Sequence, residues 1–310
     1  FAYAANTLGA ITGSLAGGFI LLPWLTAIGA WRWVFGLTLL LSLGAALLGA
    51  RSTSKGAWSV LATLWISAAC LMFMPTGPTA AWRHKPIGYG RVESLPNSIN
   101  GLRGWLHANR WKIAHEFEGR EASVAAVDSD DGYCLYVNGK SDGSAFGDAD
   151  TQVMQGLVPA LLHPAPHTAF VVGLGTGTTA GWVADVSGMK QVDVVELEPA
   201  MAGLARDQFA PVNRDVLAKT NVRLIPGDAR EALLAAGSRY DLVISEPSNP
   251  YRAGVSTLFT QEFYTAAKNR LNEHGLFAQW VQGYEVDAQA IRQVYATLTS
   301  VFPHVETWIS

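Results

Sequence analysis

The charged residues of this chain lie almost entirely outside its first 82 residues. That first segment contains no acidic residue and three basic ones, which are Arg32, Arg51 and Lys55. The remaining residues, 83–310, contain 19 basic and 25 acidic side chains, a net charge of −6. Because unpaired charges are costly in hydrocarbon, this distribution predicts a membrane segment followed by a mildly acidic domain that folds in water.

Three uncharged runs fill the first segment: residues 1–31, 33–50 and 56–82. About 20 apolar residues cross the hydrocarbon core, so each run is long enough for one span. A cleaved signal peptide has a basic start and one short apolar core, which does not fit three runs. We therefore expect about three transmembrane helices over residues 1–75, followed by a linker over residues 76–114.

The basic residues around these runs predict an orientation. Arg32 would separate spans one and two, and Arg51 and Lys55 would separate spans two and three. Four positive charges then fall on one side and two on the other, and the richer side is Arg32, Arg83, Lys85 and Arg91. The positive-inside rule places the soluble domain in the cytoplasm. The start at Phe1 and a last strand just begun at residues 305–310 predict a chain truncated at both ends.

The cysteines and histidines predict no metal site. Cys70 and Cys134 are isolated, which gives neither a disulfide framework nor a zinc-ligand spacing. His163 and His167 are four residues apart, but the prolines between them prevent a shared helix face.

The periodicity of the soluble part changes along the chain. Apolar segments at 122–127 and 133–137 predict a hairpin in a small β-domain over residues 115–150. Residues 151–163 have helical spacing. Strands are then expected at 168–173, 191–197, 221–228 and 240–245, each followed by a helix, and the last helix, 258–275, precedes a strand at 276–282 and a helix at 287–301. This alternation predicts an α/β domain with a parallel sheet and helices on both faces.

A glycine-rich loop, GLGTGTTA at residues 173–180, follows the first of these strands and opens a helix. Glycines there let the backbone approach a ligand, and a helix N-terminus favours an anionic or polar group. A dinucleotide fingerprint needs a sixth-position glycine, where this chain has Thr178. The loop alone is a weak signal, since any tight strand-to-helix turn can use it.

Carboxylates follow three further strands. Glu196, Asp228 and Glu246 each stand where a strand ends, and Glu246 lies in an unusual turn between prolines, Glu-Pro-Ser-Asn-Pro at 246–250. Ligands bind at the carboxyl ends of strands in open α/β sheets, so these groups together predict a nucleoside pocket. Two simpler interpretations remain open: a helix N-cap for Asp228, and a solvated strand end for Glu196 or its neighbour Glu198.

Several longer motifs resemble one protein family. VVGLGTGTTA, VVELEP, PGDAR, YDLVISEPSNPYRAGVSTLFTQEFY and VNGKSDGS with DADTQ are similar to the spermidine synthases, above all to a bacterial branch fused to membrane spans. The resemblance implies a Rossmann-like, methyltransferase-type fold, with a catalytic domain at 151–310 after the small β-domain. It implies aminopropyl transfer from decarboxylated S-adenosylmethionine, a co-substrate rather than a tightly bound cofactor, to a diamine such as putrescine. A multi-pass protein of the bacterial inner membrane, in contact with the lipid bilayer, is also implied.

The resemblance also implies roles for single residues. Glu246 falls at the position of the family's catalytic acid. The nucleoside would be held by Gly173, Gly175, Thr176 and Gly177 at the sulfonium side chain, Glu196 at the ribose, and Asp228 with Ala229 at the adenine. The amine would meet Gln152, Asp142, Asn249 and Tyr251. A carboxylate at Glu246 could bind a protonated amine and take its proton as general base.

The sequence departs from the family pattern where the family places acids. Thr176 and Asn249 stand where the family has aspartates, and Thr151 and Val153 replace a tyrosine and a glutamate. Asp142 and Asp148 are expected to compensate, because they lie in the loop between the β-domain and the sheet. With Thr176 uncharged, we expect this protein to accept intact S-adenosylmethionine better than an ordinary spermidine synthase does.

Other functions remain open at this point. One alternative is an S-adenosylmethionine-dependent methyltransferase on the same fold, and another is a non-catalytic membrane sensor of nucleoside or polyamine. An acidic domain without basic clusters argues against nucleic acid as a partner. A homodimer is compatible with the resemblance.

Overall fold

The computed structural model describes residues 2–49, 55–73, 84, 95–252 and 254–309. The N-terminal part is helical, with α1 at Ala2–Ala16, a π-helical segment at Gly17–Leu21, α2 at Leu22–Leu48 and α3 at Lys55–Met72. Two stretches are long and apolar enough to cross a membrane, Ala2–Leu21 and Gly29–Leu48. The third predicted span is the shorter apolar helix Gly56–Met72.

The predicted break at Arg32 is wrong, because α2 runs through Arg32 without interruption. One arginine between tryptophans does not break a helix, since arginine has high helix propensity. The irregular backbone lies earlier, at the π-helical segment Gly17–Leu21. Arg32 therefore lies inside a helix and cannot be counted as a loop residue in the charge comparison that predicted the orientation. Its remaining members lie outside the described residues or, at Lys55, have an undescribed side chain.

Helices α2 and α3 pack against each other as an antiparallel pair. The Trp65 indole Nε1 donates to the Leu39 carbonyl at 3.1 Å and lies 3.0 Å from Ser42 Oγ. At the other end of the pair, a Cβ built on Gly36 would lie 3.6 Å from Met72 Sδ. In an apolar environment no water is available to pair with the indole N–H, so polar groups need partners within the protein. The Leu39 carbonyl is such a partner for Trp65.

The predicted linker contains a helix. Residues 74–83 and 85–94 lie outside the described residues, but Ile99–Lys112 forms α4. Its N-cap is Ser98, whose hydroxyl accepts from the Gly101 N–H at 3.0 Å. The sequence predicts only an uncertain helix in this linker, because the helix is weakly amphipathic and has no fully buried residue.

The small β-domain is a four-stranded antiparallel sheet in the order β1-β2-β3-β4. The strands are β1 at Ile113–Glu118, β2 at Ser123–Ser129, β3 at Gly132–Val137 and β4 at Lys140–Ser144. Asn138 and Gly139 form the β3–β4 turn with φ values of 50° and 80°. Asn-Gly is the pair that such a two-residue turn favours, because both positions need positive φ.

The larger domain is a five-stranded parallel sheet in the order β7-β6-β5-β8-β9, with helices on both faces, which confirms the predicted fold class. The strands are β5 at Thr168–Val172, β6 at Gln191–Glu196, β7 at Val222–Pro226, β8 at Tyr240–Ser245 and β9 at Leu271–Gln279. The helices are α5 at Ala149–Leu162, α6 at Thr178–Ala184, α7 at Ala200–Asp207, α8 at Ala210–Asn213, α9 at Ala229–Ala235, α10 at Gln261–Asn269 and α11 at Ala288–Val301.

Two expected boundaries near the C-terminus are wrong. The helix predicted to reach Gly275 ends at Asn269, and β9 begins at Leu271. Leu271 is buried and pairs with Tyr240, and the register then shifts before Leu276. The polar residues between Leu271 and Leu276 have a sequence pattern typical of a helix, but pairing of β9 with β8 outweighs that local preference. The strand predicted at 305–310 is irregular through Ile309.

Candidate active site

The strand order puts a topological switch point between β5 and β8, where open α/β sheets have their ligand crevice. The chain proceeds from β5 outward through β6 to β7, and then returns to the other side of β5 to form β8 and β9. Loops on the two sides of such a switch point diverge and leave room at the carboxyl ends of the strands, where ligands bind in open α/β sheets. The glycine loop follows β5 and Glu246 follows β8, so both line this crevice.

The glycine loop has a backbone that only glycine adopts readily. Gly173, Gly175 and Gly177 have φ values of 84°, 54° and 83°, all in the left-handed region. A Cβ built on Gly173 or Gly175 would meet nothing within 4 Å, whereas one on Gly177 would lie 2.8 Å from Val216 Cγ1. The first two glycines therefore leave open space beside the backbone, and the third permits close packing inside the domain.

Glu196 is anchored to this loop by its own carboxylate. Its Oε2 accepts from the Leu174 N–H at 2.7 Å, and its Oε1 accepts from the Glu198 N–H at 2.8 Å. Burial raises the pKa of the Glu196 carboxyl, although backbone N–H donors oppose that rise. The Gly175 N–H is a third backbone donor to this carboxylate. A carboxylate has about four acceptor sites, so the anchored group retains the capacity to accept from one more donor.

Asp228 serves as the N-cap of α9, which is the simpler interpretation that the sequence left open. Its Oδ1 accepts from the Arg230 N–H at 2.8 Å, and both of its oxygens contact the Arg230 guanidinium. This arginine lowers the pKa of the Asp228 carboxyl. Ala229 is buried as the first residue of α9. A contact of Asp228 or Ala229 with adenine would be a second role, and the structural role at the start of α9 does not depend on it.

Glu246 is partly buried and has a strongly raised pKa. Desolvation by the surrounding protein raises its pKa to about 7, a hydrogen bond from Thr179 opposes the rise, and the charge of Asp148 adds to it. Thr179 Oγ1 lies 2.7 Å from Glu246 Oε2 and 2.9 Å from the Gln152 carbonyl oxygen. At neutral pH this carboxyl exchanges readily between its protonated and ionised forms.

The Thr179 hydroxyl can serve both forms of that carboxyl. When Glu246 is ionised, the hydroxyl donates to it. When Glu246 is protonated, its O–H donates to Thr179 Oγ1, and the hydroxyl proton turns to the Gln152 carbonyl. Thr179 was not among the residues chosen from the sequence, because a threonine in the first turn of a helix carries no signal of such a role.

Gln152 links the first helix of the domain to the glycine loop. Its Oε1 accepts from Thr176 Oγ1, and its Nε2 donates to Asp148 Oδ1 at 2.6 Å and to the Ser144 carbonyl at 3.1 Å. Thr176 is only 3 % exposed and also contacts Thr178 Oγ1 at 2.9 Å. Thr176 and Gln152 therefore support the loop from inside the protein through these contacts.

Asp142 is enclosed by two cations. Its Oδ1 accepts from Lys140 Nζ at 3.0 Å and from Ser248 Oγ at 2.8 Å, and its Oδ2 pairs with Arg252. All three charged side chains are at least 86 % buried. The cluster joins β4 to the loop that follows Glu246. The two cations outweigh the charge of Asp142. Asp142 therefore does not supply the negative charge that we expected it to add in place of the family's missing acids.

The remaining predicted residues differ in exposure. Asn249 is completely buried, and within the described residues neither atom of its amide has a hydrogen-bond partner. Tyr251 is 52 % exposed, and its hydroxyl donates to Glu285 Oε2 at 3.1 Å. Thr151 and Val153 flank Gln152 on α5 and are partly exposed.

Glu198 is not a solvated strand end. It is 4 % exposed, and its Oε2 accepts from the N–H groups of Glu121 and Ala122 at 2.8 and 3.1 Å. Its Oε1 accepts from the Ala200 N–H at 2.9 Å. The carboxylate thus joins the β1–β2 turn to the start of α7, a contact between domains that spacing in the sequence cannot show.

Comparisons with known proteins agree with this architecture. Residues 151–310 match the spermine/spermidine synthase domain. A polyamine aminopropyltransferase of Alkaliphilus metalliredigens is 29 % identical over 153 residues, covering 49 % of this chain and 53 % of that protein. Polyamine aminopropyltransferase 2 of Streptomyces coelicolor is 28 % identical over 318 aligned positions, covering 96 % of this chain and 51 % of that protein. This chain thus spans about half the length of these curated relatives.

The fold is also found among solved structures. A crystal structure of spermidine synthase in complex with the transition state analogue AdoDATO has a TM-score of 0.59 and 20 % sequence identity. The superposition covers 62 % of this chain and 66 % of the other.

Proposed function

Because this chain belongs to the spermine/spermidine synthase family, we propose that it transfers an aminopropyl group from decarboxylated S-adenosylmethionine to an amine. The observation that carries this proposal is the carboxyl of Glu246, whose pKa is raised to about 7, in the crevice that the open glycine loop also lines. An amine nucleophile needs such a base, because it arrives protonated and attacks only when neutral. Curated relatives named polyamine aminopropyltransferases support the same reaction.

In this proposal the nucleoside lies along the carboxyl ends of β5, β6 and β7. Gly173 and Gly175 leave space for the sulfonium side chain beside the loop backbone. Glu196 offers its remaining acceptor capacity to a ribose hydroxyl while its other sites stay bound to backbone N–H groups. Asp228 and Ala229, at the start of α9, lie at the end of the next strand, where the adenine would fit.

The proposed reaction is a displacement at carbon. The amine nitrogen attacks the aminopropyl methylene carbon bonded to the sulfonium sulfur, a new C–N bond forms, and the C–S bond breaks. The electron pair of the C–S bond goes to sulfur, which leaves as a neutral thioether. Glu246 takes one proton from the amine and later releases it to water, so the reaction yields one proton overall. Positioning two reactants in one crevice supplies much of the remaining rate enhancement.

The Thr179 hydroxyl has a role in that proton transfer. It donates to Glu246 while the carboxylate waits ionised, and it accepts from Glu246 after the proton has moved. The Gln152 carbonyl at 2.9 Å receives the hydroxyl proton in the second arrangement. The base therefore keeps a hydrogen bond in both states, which avoids leaving a buried polar group unpaired during turnover.

We further propose that the N-terminal helices anchor the enzyme in the bacterial inner membrane, with the catalytic domain in the cytoplasm. Two helices have the required length and apolar composition, and the alignment with the Streptomyces coelicolor relative covers 96 % of this chain. A cytoplasmic domain would meet its nucleoside substrate where it is made. A reporter fused after Ser310 tests the orientation, and a signal from the opposite side of the membrane would contradict it.

One observation favours a second candidate function, methyl transfer from intact S-adenosylmethionine. The glycine loop, residues 173–180, contains no acid that would repel the carboxylate of the intact nucleoside. Competition binding of the two nucleosides, wild type against Thr176→Asp, measures this selectivity. We expect the variant to shift the affinity ratio toward the decarboxylated form, and an unchanged ratio would show that residue 176 does not control the choice.

Product analysis distinguishes the two reactions. The purified full chain is incubated with each nucleoside and a panel of amines, and the products are identified by mass spectrometry. An aminopropylated amine and a thioether nucleoside are expected with the decarboxylated form. Methylated amine from the intact form would establish the second candidate instead. The absence of any amine product, with nucleoside binding retained, would overturn both and leave the sensor hypothesis.

A further inference from the structure

Several uncharged polar side chains lie at the ends of β8 and β9 and in the loops that follow, close in sequence to Glu246. We call Ser245, Asn249, Gln279 and Gln282 the neutral polar cluster. Ser245 and Asn249 are 0 % exposed, Gln282 is 5 % exposed and Gln279 is half-buried. Within the described part of the chain, each has at least one buried side-chain atom without a hydrogen-bond partner. Buried polar groups are almost always paired in native proteins, so four such groups at two adjacent strand ends point to a ligand.

The sheet places these residues at one edge, the carboxyl ends of two adjacent strands. Ser245 and Gln279 are register partners on the adjacent parallel strands β8 and β9. Ser245 follows Val243 by two residues and Gln279 follows Phe277 by two, so both face the layer to which Val243 and Phe277 belong. Asn249 and Gln282 lie in the loops that immediately follow these strands. The next residue after Ser245 is Glu246, whose side chain reaches Thr179 on the other face.

The carboxylates near the cluster are already engaged. Asp142 is held by Lys140 and Arg252. Asp148 Oδ1 accepts from the N–H and hydroxyl of Ser144, both at 2.7 Å, and from Gln152. Glu285 is exposed and bound by Tyr251. Asp148 has only neutral donors and keeps its charge, which acts on the side of Glu246. Glu246 is required by the attacking amine. A second ammonium that entered the neutral polar cluster would therefore have neutral groups around it and the net positive charge of the Lys140–Asp142–Arg252 cluster beside it.

We propose that the neutral polar cluster is the acceptor subsite and selects an amine whose second polar group is uncharged, such as an amino alcohol, over a diamine. This inference rests on the proposed aminopropyl transfer and names its acceptor class. A hydroxyl both donates and accepts, so it can pair with the oxygen and the nitrogen of the Asn249 amide. An ammonium donates only, and burying it without a partner charge is unfavourable.

The first test compares two acceptors of equal length with the wild-type full chain and decarboxylated S-adenosylmethionine. The probes are 4-aminobutan-1-ol and 1,4-diaminobutane, and kcat/KM is measured for each by mass spectrometry of the product. We expect the amino alcohol to be preferred by about tenfold or more, the range over which a polar subsite discriminates. Preference for the diamine would overturn this inference and leave the proposed transfer intact. Turnover of neither probe nor any other amine would overturn the proposed function itself.

The second test introduces a charge into the cluster. Asn249→Asp and, independently, Gln282→Glu are each expected to move the kcat/KM ratio at least tenfold toward the diamine. The matched control is Asn269→Asp, which makes the same chemical change at an exposed residue at the end of α10 and should leave the ratio unchanged. Calorimetric binding of the nucleoside verifies that each variant is folded. If both folded variants keep the wild-type ratio, the cluster does not contact the acceptor.

Discussion

The two sides of the crevice differ in how their polar groups are paired. The donor side, which comprises the glycine loop, Glu196 and Asp228, forms hydrogen bonds mainly between near neighbours and backbone N–H groups. The acceptor side comprises the loop from Glu246 to Arg252 and the neutral polar cluster. It combines an ionic cluster between distant residues with buried groups that have no partner within the described chain. Local backbone geometry therefore shapes the proposed donor side. The proposed acceptor side depends on tertiary contacts, and a few side chains would determine its specificity.

Removing the base should give the largest effect and should be confined to the acceptor side. We expect Glu246→Gln to lower kcat by about 10²–10⁴-fold, the usual contribution of a general base. Nucleoside affinity, measured by calorimetry, should stay close to wild type because glutamine preserves the shape and the contact with Thr179. A wild-type kcat in this variant would show that Glu246 is not the general base.

The ionic cluster predicts a large effect on stability rather than on chemistry. Asp142→Asn leaves Lys140 and Arg252 buried without their carboxylate, and breaking a buried pair typically costs about 3–5 kcal/mol in the free energy of unfolding. Thermal or denaturant unfolding in detergent measures it.

The matched control for this variant is Asp185→Asn. Asp185 also pairs with two cations, Arg214 and Lys219, but its side chain is 31 % exposed and that of Arg214 is 48 % exposed. Exposed pairs contribute about 1 kcal/mol or less. Equal losses in the two variants would mean that the acceptor loop is not held by its buried ionic cluster.

On the donor side, Glu196→Ala should weaken nucleoside binding. Losing hydrogen bonds to a charged acceptor costs about 1.5–3 kcal/mol, which is roughly ten- to 150-fold in Kd. Because Glu196 also accepts from the Leu174 N–H, Glu196→Gln is the better-shaped companion and should lose less affinity than alanine. Wild-type affinity in both variants for both nucleosides would exclude the ribose contact.

The smallest predicted effect concerns pH. In the proposed mechanism Glu246 acts as base in its ionised form, and its pKa is raised to about 7. We therefore expect kcat/KM to rise with pH through about 7 and then level. The Thr179 hydrogen bond lowers this pKa, so Thr179→Val should move the rise to higher pH. At a pH below the rise, losing about 1 kcal/mol of hydrogen bonding should reduce activity about fivefold.

The plateau at high pH distinguishes this shift from general damage to the enzyme. The effect of Thr179→Val should shrink there, because Glu246 is then ionised in both proteins. Thr178→Val, the neighbouring threonine whose hydroxyl contacts Thr176 instead, is the matched control for the pH shift. An unshifted profile in Thr179→Val would show that this hydroxyl does not influence the base.

The raised pKa of Glu246 should affect stability in the direction opposite to activity: activity should rise with pH, whereas stability should fall. A carboxyl whose folded pKa lies above its usual value makes folding relatively more favourable at low pH. Its contribution is lost as pH rises from the ordinary glutamate range through about 7. Glu246 should therefore make the protein slightly less stable at high pH than Glu246→Gln.

The fold class and the positions of the main strands could be predicted from the amino-acid sequence. Strand alternation, the left-handed glycines after β5 and the Asn-Gly turn depend on neighbours in the chain, so local physics reveals them. The same holds for Glu246, whose place at the end of β8 follows from the strand pattern and whose role was suggested by the family resemblance.

The contacts that form the proposed acceptor side became visible only in the folded structure. The pairing of Asp142 with Arg252, the burial of Glu198 under the β1–β2 turn and the contact of Thr179 with Glu246 join residues 67 to 110 positions apart. Spacing and composition do not encode such distances. The helix through Arg32 and the start of β9 at Leu271 went against the predicted boundaries for a related reason. A single polar residue or a short polar stretch has a weak local preference, and packing with the rest of the molecule outweighs it.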